Sequence, residues 1–211
     1  MDGIRTVLLA VVLPLLAAYL IGSFPTSYLV ARRRGIDIRQ VGSRNMGAMN
    51  VFYQVGFWWG MLVLTVDIGK GAIAVALARL LGASPVVELL SGAAAILGHS
   101  FPFFLKFRGG KGGATTIGVL VFLMPWGMPV YLAIFGMSLL FTRFPTLSYS
   151  LAFLGLPFVA WLVYHSPAYI IFSVVVLLIP GLKYVPRVLE MRRRSGGWRH
   201  FFLRRGFKDR M

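Results

Sequence analysis

The sequence predicts an all-α polytopic membrane protein of about seven transmembrane helices, with its N-terminus outside the cell and its C-terminus in the cytoplasm. Hydrophobic residues make up 58% of the 211 residues and charged residues only 13%, and the mean hydropathy is +0.78. Soluble domains are about 45–50% apolar and about 25% charged. The apolar residues also cluster in runs that suit a bilayer core of about 30 Å.

Seven apolar runs are predicted to form the helices, and Gly, Pro or charged residues separate them. The first run begins after Asp2 and Arg5 and lacks a small-residue cleavage site, so we interpret it as a retained helix and not as a signal peptide. The fourth and fifth runs are short, which leaves a single bent span as the alternative for that pair. The runs cover residues 6–30, 55–82, 86–105, 113–124, 128–142, 147–164 and 167–182.

The distribution of basic residues favours seven spans. The chain has 22 Lys and Arg against 6 Asp and Glu, and the cytoplasmic loops of membrane proteins collect Lys and Arg. With seven spans and an outer N-terminus, only Arg5, Lys70 and Arg79 lie outside the inner segments. A six-span chain would instead place Arg143 and the basic C-terminal segment opposite the first two basic loops.

We therefore divide the chain into a transmembrane domain, residues 1–182, and a basic amphipathic cytoplasmic tail, residues 183–211. The tail alternates basic and aromatic residues, as a segment lying on anionic lipid headgroups does. RNA would suit the same composition, but nothing else indicates it, so we predict no nucleic acid partner. The chain has no Cys and no zinc-ligand spacing, so no metal and no other cofactor is predicted.

The segment FRGGKGGATT, residues 107–116, surrounds one lysine with glycines. Glycine permits backbone conformations in which successive N–H groups point at one anion, and lysine adds a positive charge. It is not a Walker A loop, because a glycine follows the lysine where a Ser or Thr would bind magnesium. The alternative is a glycine-rich turn whose lysine only follows the charge rule for cytoplasmic loops. The residues predicted to bind phosphate here are Gly109, Gly110, Lys111, Gly112 and Thr115.

Two other polar segments fall on the same predicted cytoplasmic side. Residues 142–148 carry Arg143 and Thr146 at a helix entrance. Taken singly, each segment is typical of a capped polar loop or helix start; together, the three segments predict an anion site at the inner face. Residues 41–50 carry glycines and short polar side chains that suit phosphate or hydroxyl oxygens: Gly42, Ser43, Asn45 and Asn50.

Ionisable residues inside the apolar runs are the other candidates. Asp67 and Lys70 interrupt the second run, where a lone charge would cost about 2.5–3.5 kcal/mol at the bilayer centre. Because residues three apart share a helix face, we predict a structural ion pair, with a catalytic carboxylate as the alternative. His99 is either a buried hydrogen-bonded histidine or a general base.

Several segments combine into a recognisable pattern. They are GSFP at 22–25, DIRQVGSRNMGAMN at 37–50, a pattern with Asp67, Lys70 and Gly71, GHSFPFFLKFRGGKGGAT at 98–115, and TRFPTLSY at 142–149. Over about residues 15–150 the chain resembles the PlsY family of bacterial acyl-phosphate:glycerol-3-phosphate acyltransferases.

The resemblance implies a seven-helix protein of the bacterial cytoplasmic (inner) membrane, with its active site facing the cytoplasm and no metal. It implies transfer of a fatty acyl group from acyl phosphate to the 1-hydroxyl of glycerol 3-phosphate, which gives lysophosphatidate for phospholipid synthesis. The serine and lysine that contact the substrates in the family correspond to Ser43 and Lys111, and these two residues and His99 are the predicted catalytic residues. Asn45, Asn50 and His99 also match residues of the family motifs.

The first loop departs from the family pattern. Met49 stands where the family has threonine, Tyr53 where it has arginine and Arg44 where it has glycine. We hypothesise that Arg44 supplies the missing guanidinium to the acceptor's phosphate. The alternatives to the implied function are a related acyltransferase with a different acceptor, and a non-catalytic or transport paralogue that keeps the phosphate-binding scaffold.

Overall fold

The regular elements that the structure describes are all helical. The computed structural model describes residues 2–142 and 145–195, and the all-α class is confirmed within them. π-Helical segments, Leu8–Val12 and Ala160–Tyr164, follow α1 and α10, and 3₁₀ turns cover Phe103–Leu105 and Phe153–Gly155. The α-helices are α1 (Asp2–Val7), α2 (Leu13–Gly22), α3 (Thr26–Arg33), α4 (Ala48–Gln54), α5 (Phe57–Leu80), α6 (Pro85–Ser100), α7 (Gly113–Leu123), α8 (Gly127–Thr142), α9 (Pro145–Ala152), α10 (Leu156–Val159) and α11 (Pro167–Ser195).

Four helical segments of the described chain are long and apolar enough to cross a membrane. They are Gly3–Arg33, Phe57–Leu80, Pro85–Leu105 and Leu147–Tyr164. Three further apolar helices are shorter, namely Gly113–Leu123, Gly127–Thr142 and Pro167–Lys183. In order along the chain, these segments correspond to the seven predicted apolar runs.

The predicted first helix, residues 6–30, is interrupted near its end. α2 ends at Gly22 and α3 begins at Thr26, because Pro25 has no N–H to continue the helical hydrogen bonds. The Ser23 N–H still bonds to the Tyr19 carbonyl at 2.9 Å, and the Thr26 N–H bonds to the Phe24 carbonyl at 3.0 Å. The break therefore places polar backbone groups and the side chains of Ser23, Thr26 and Ser27 in the interior of the bundle.

Two other predicted boundaries differ in the structure. α6 ends at Ser100, short of the predicted residue 105, because Pro102 cannot continue it. Residues 113–142 form two separate helices, α7 and α8, which are divided at residues 124–126. α7 packs mainly on α5, whereas α8 packs mainly on α9.

Glycines allow two pairs of helices to touch backbone to backbone. A Cβ at Gly22 would overlap the Ala95 carbonyl, and one at Gly98 would overlap the Tyr19 carbonyl, so α2 and α6 are in direct contact. A Cβ at Gly118 would likewise overlap the Ile68 carbonyl where α7 crosses α5. Small residues permit this approach in membrane helices, and these contacts hold α2 against α6 and α5 against α7.

We expect Gly118→Ala to lower the free energy of unfolding by about 1–3 kcal/mol or more, because overpacking forces the backbone to shift. Thermal unfolding in detergent measures the change. The matched control is Gly136→Ala in α8, where an added Cβ would meet nothing within 4 Å. Equal midpoints for the two variants would show that the α5–α7 contact is not tight.

The segment between α3 and α5 is anchored by its own small core. Ile38, Met46 and Val51 are buried against Val30 and Val63. These contacts attach the loop of residues 37–50 to the two helices that flank it. A larger core is formed by buried residues of every helix from α5 to α11.

The last helix extends well beyond its predicted end. α11 runs from Pro167 to Ser195 and so crosses the predicted domain boundary at residue 182. The described part of the predicted tail therefore continues this helix. Residues 196–211 of the predicted tail lie outside the described residues.

Candidate active site

A polar pocket lies where the break in the first helix meets α5, α6 and the glycine-rich loop. The space between its walls, counted together with the solvent at its mouth, is about 220 Å³. Predicted site residues form part of its wall, and hydroxyl side chains of the helix break form another part. The lining residues are Ser23, Phe24, Pro25, Thr26, Ser27, Met46, Asp67, Lys70, His99, Pro102, Leu105, Gly109 and Gly110.

Asp67 and Lys70 form a buried ion pair in the pocket wall. Lys70 Nζ lies 2.7 Å from Asp67 Oδ1, and the two side chains are only 7% and 2% exposed. Lys70 Nζ also donates to the Phe24 carbonyl at 3.2 Å, and Thr26 Oγ1 donates to Asp67 Oδ1 at 3.2 Å. The pair therefore connects α5 to both sides of the helix break. Its opposite charges compensate each other at a position that water does not reach.

His99 lies at the end of α6 and supports the glycine-rich loop. Its carbonyl accepts a hydrogen bond from the Gly110 N–H at 3.1 Å. A Cβ at Gly110 would overlap His99 Nε2, and a Cβ at Gly109 would overlap the His99 carbonyl. Glycine is required at both positions because the loop backbone lies directly against the histidine.

The remainder of the glycine-rich loop leads into α7. Lys111 is half-buried between Gly110 and Gly112, and Gly112 has a φ of +84° immediately before the helix, a conformation that favours glycine. Thr115 is fully buried, and its carbonyl faces Gly71 of α5. The structure thus places Lys111 beside the pocket and Thr115 in the contact between two helices.

Asn50 fixes the shape of the loop of residues 37–50. Its Nδ2 donates to the carbonyls of Ile38, Val41 and Asn45, and its Oδ1 accepts from the Ser43 N–H, each at 3.1 Å. The side chain is 3% exposed and is engaged with backbone, so in this structure it holds the loop.

The other polar residues of this loop lie nearer its surface. Gly42 and Arg44 are exposed and both have a φ of +57°, whereas Ser43 and Asn45 are half-buried. At the start of the loop, the guanidinium of Arg39 holds the pKa of Asp37 well below its usual range.

The segment of residues 98–116 is in contact with the loop of residues 37–50 and with α9. A Cβ at Gly110 would come close to the Met46 carbonyl, which joins the glycine-rich loop to the loop of residues 37–50. A Cβ at Gly113 would approach the ring of Tyr149, which follows the third segment. Arg143 lies outside the described residues, and of Thr146 only the backbone, within α9, is described.

Comparison with known proteins then decides the family. The family model described as "Glycerol-3-phosphate acyltransferase" matches residues 12–190, which is most of the chain. The chain belongs to the glycerol-3-phosphate acyltransferase family.

Members of the glycerol-3-phosphate acyltransferase family resemble this chain along almost its whole length. A relative from Dehalococcoides mccartyi, named glycerol-3-phosphate acyltransferase 2, is 51% identical over 207 residues, which is 97% of this chain and 99% of that protein. A relative from Endomicrobium trichonymphae, named glycerol-3-phosphate acyltransferase, is 38% identical over 185 residues, which is 87% of this chain and 93% of that protein.

Solved structures of the glycerol-3-phosphate acyltransferase family share the fold. PlsY, an integral membrane glycerol 3-phosphate acyltransferase crystallised in its glycerol 3-phosphate form, superposes with a TM-score of 0.82 at 28% identity, covering 92% of this chain and 95% of that one. The lysophosphatidic acid form gives a TM-score of 0.80 at 26% identity, covering 94% and 96%. The predicted relationship is therefore confirmed.

In this member of the glycerol-3-phosphate acyltransferase family, sequence reasoning missed part of the pocket wall. Ser23, Thr26 and Ser27 line the pocket, yet they were not among the predicted site residues. The signal was the stretch GSFPTS, in which a proline follows polar residues inside an apolar run. A proline there predicts a broken helix, and the hydroxyls beside it then face the interior.

Proposed function

We propose that the chain is a membrane acyltransferase that moves a fatty acyl group from acyl phosphate to the 1-hydroxyl of glycerol 3-phosphate, forming lysophosphatidate. The observation that carries the proposal is the pocket itself. In a chain of this family, it brings the glycine-rich loop beside the loop of residues 37–50 and is lined by hydroxyl, imidazole and ammonium groups.

The reaction needs orientation and charge stabilisation more than a strong nucleophile. The acceptor hydroxyl oxygen attacks the carbonyl carbon of the acyl phosphate, the carbon–oxygen bond to phosphate breaks, and inorganic phosphate leaves. The hydroxyl proton passes either to an oxygen of the departing phosphate or to His99. Positioning the two substrates lowers the activation barrier by several kcal/mol. Donors aimed at the developing negative charge lower it by a comparable amount.

We assign the substrate contacts by charge and position. Lys111, the Ser43 hydroxyl and the N–H groups of the glycine-rich loop are proposed to bind the phosphate groups and stabilise negative charge. Arg143 and Thr146 remain predicted ligands of the same phosphates. The acceptor's phosphate is proposed to lie towards Arg44 and Asn45, at the exposed side of the loop of residues 37–50.

Seven membrane spans, an outer N-terminus and an inner C-terminus complete the proposal. The three shorter apolar helices are proposed to cross together with the four long ones, since almost all Lys and Arg then lie on one side. The membrane is proposed to be the bacterial cytoplasmic membrane, with the pocket facing the cytoplasm. The basic C-terminal segment is proposed to lie on anionic lipid headgroups.

The direct test uses the purified protein in lipid vesicles with palmitoyl phosphate and glycerol 3-phosphate. We expect lysophosphatidate and inorganic phosphate to form in equal amounts. If phosphate is released only when a different alcohol is added, that alcohol and not glycerol 3-phosphate is the acceptor. No turnover of acyl phosphate with any alcohol would favour the non-catalytic or transport alternative.

For Arg44, we expect substitution by glycine to raise the KM for glycerol 3-phosphate about tenfold, because a charge-assisted hydrogen bond contributes about 1.5–3 kcal/mol. The kcat should stay unchanged. The thermal midpoint should not fall, because Arg44 has a φ of +57°, where glycine is favoured. Arg33→Ala, which removes another exposed arginine, is the control, and an unchanged KM in Arg44→Gly would contradict the assignment.

A further inference from the structure

The buried pair of Asp67 and Lys70 has more contacts than charge compensation requires. The pair and two neighbouring side chains form the Asp67 cluster, which consists of Thr26, Asp67, Lys70 and His99. All four side chains line the pocket and all are buried. They come from α3, α5 and α6, so the cluster lies where three elements of the pocket wall meet.

The first function of these contacts is to provide hydrogen-bond partners for polar groups at the helix break. The Phe24 carbonyl lies at a point where Pro25 prevents a continuous helix, and Lys70 Nζ donates to it at 3.2 Å. α3 begins at Thr26 after the N-cap residue Pro25, whose side chain offers no capping group, and the Thr26 hydroxyl donates to Asp67. The conformation of the break therefore depends on α5. The positions of Ser23 and Ser27 in the pocket wall depend in turn on that conformation.

The second contact of Asp67 is with His99. His99 Nδ1 lies 3.8 Å from Asp67 Oδ1, which is too long for a hydrogen bond, and this buried nitrogen has no partner among the described residues. The charged groups around the ring are Asp67 and Lys70 of α5 and Lys183 of α11. Lys183 itself donates to the carbonyl of Ser100, the next residue. The imidazole of His99 therefore lies beside the charged pair of α5 without a hydrogen bond to it.

His99 in turn supports the loop that contains Lys111. The Gly110 N–H bonds to the His99 carbonyl, and the Gly110 backbone lies against the imidazole ring. A displacement of His99 would thus move the glycine-rich loop. One carboxylate is connected in this way to both walls of the pocket, the broken helix on one side and the glycine-rich loop on the other.

From these contacts we infer that Asp67 and Lys70 are positioning residues for acyl transfer, and that they act through Thr26 and His99. The inference rests on the proposed function. A merely structural ion pair could be replaced by two neutral side chains of similar size without loss of rate. A positioning pair could not, because misplacement of reacting groups by about 1 Å costs about 100-fold in rate.

The experiment compares kcat and KM for lysophosphatidate formation in reconstituted variants. We expect the double variant Asp67→Asn with Lys70→Met to keep a wild-type thermal midpoint and to lose about 100-fold in kcat. Thr26→Val, which keeps the side-chain shape and removes the hydroxyl, should lose about tenfold in kcat with little change in KM. Thr26→Ser should recover the wild-type kcat.

The control is another ion pair that involves α5. Arg79 and Glu88 of α5 and α6 lie 2.7 Å apart and away from the pocket, and Arg79→Gln with Glu88→Gln should retain full kcat. A wild-type kcat in Thr26→Val, or in the double variant, would overturn the inference and leave the proposed function standing. A wild-type protein that forms no lysophosphatidate would overturn both.

Discussion

Replacing Lys111 by alanine is expected to lower the kcat of lysophosphatidate formation by about 100- to 1,000-fold, the range found when one donor to a developing negative charge is removed. Lys111 is half-buried in the loop that borders the pocket. Partial exclusion of water strengthens its interaction with an anion. The rate of lysophosphatidate formation at saturating substrates measures the effect.

A matched variant separates this effect from a general loss of charge. Arg108→Ala removes a positive charge from the same loop, three residues earlier, where the side chain is exposed, and it should retain kcat within about threefold, as expected for a charge screened by water and salt. Lys111→Arg should recover part of the rate, since it restores the charge with a different shape. Equal losses in Lys111→Ala and Arg108→Ala would show that only the overall potential matters.

The other large effect is expected for Gly110→Ala. A Cβ at this position would overlap His99 Nε2 and approach the Met46 carbonyl, so either the loop or the histidine must move. Misplaced catalytic groups cost about 100-fold or more in rate, and we expect at least that loss in kcat. The measurement is the same assay, combined with a thermal midpoint that shows whether the variant is folded.

Gly69→Ala is the control for this substitution. Gly69 lies in α5, where an added Cβ would meet nothing within 4 Å, and alanine is the better helix former by about 1 kcal/mol. Gly69→Ala should therefore keep the kcat and the fold. Full activity in Gly110→Ala would mean that the loop backbone does not depend on its contact with His99.

The helices were predictable because their signal is local and repeated. Each apolar run stands out from the charged or glycine-rich residues that flank it. Most runs match helical segments to within a few residues, but α11 continues from the seventh run to Ser195. Residues 6–30 were predicted as one helix because apolar residues continue on both sides of GSFPTS, although the proline in that stretch indicates a break. The break produces a pocket lined by Ser23 and Thr26. The pocket also depends on contacts with α5, and a local sequence pattern does not specify such contacts.

The candidate site was predictable as a set of residues but not as an arrangement. The three polar segments were expected to converge, and contacts of Gly110 with Met46 and of Gly113 with Tyr149 are consistent with that expectation. The sequence could not distinguish Asn50, which is engaged with backbone, from Asn45, since both are asparagines in one loop. Such differences depend on which side chain turns inward, and tertiary packing decides that.

The Asn50 hydrogen bonds bear on how this enzyme could be re-engineered. A single amide specifies the path of the backbone from residue 38 to residue 45 through four bonds to main-chain atoms. The loop is thus held by the Asn50 amide and by its buried apolar residues, whereas the side chains of residues 43–45 are at least partly exposed, and position 44, with its positive φ, favours glycine or asparagine. A combinatorial library that varies residues 43–45 and retains Asn50 would change the chemistry offered to the acceptor on an unchanged scaffold.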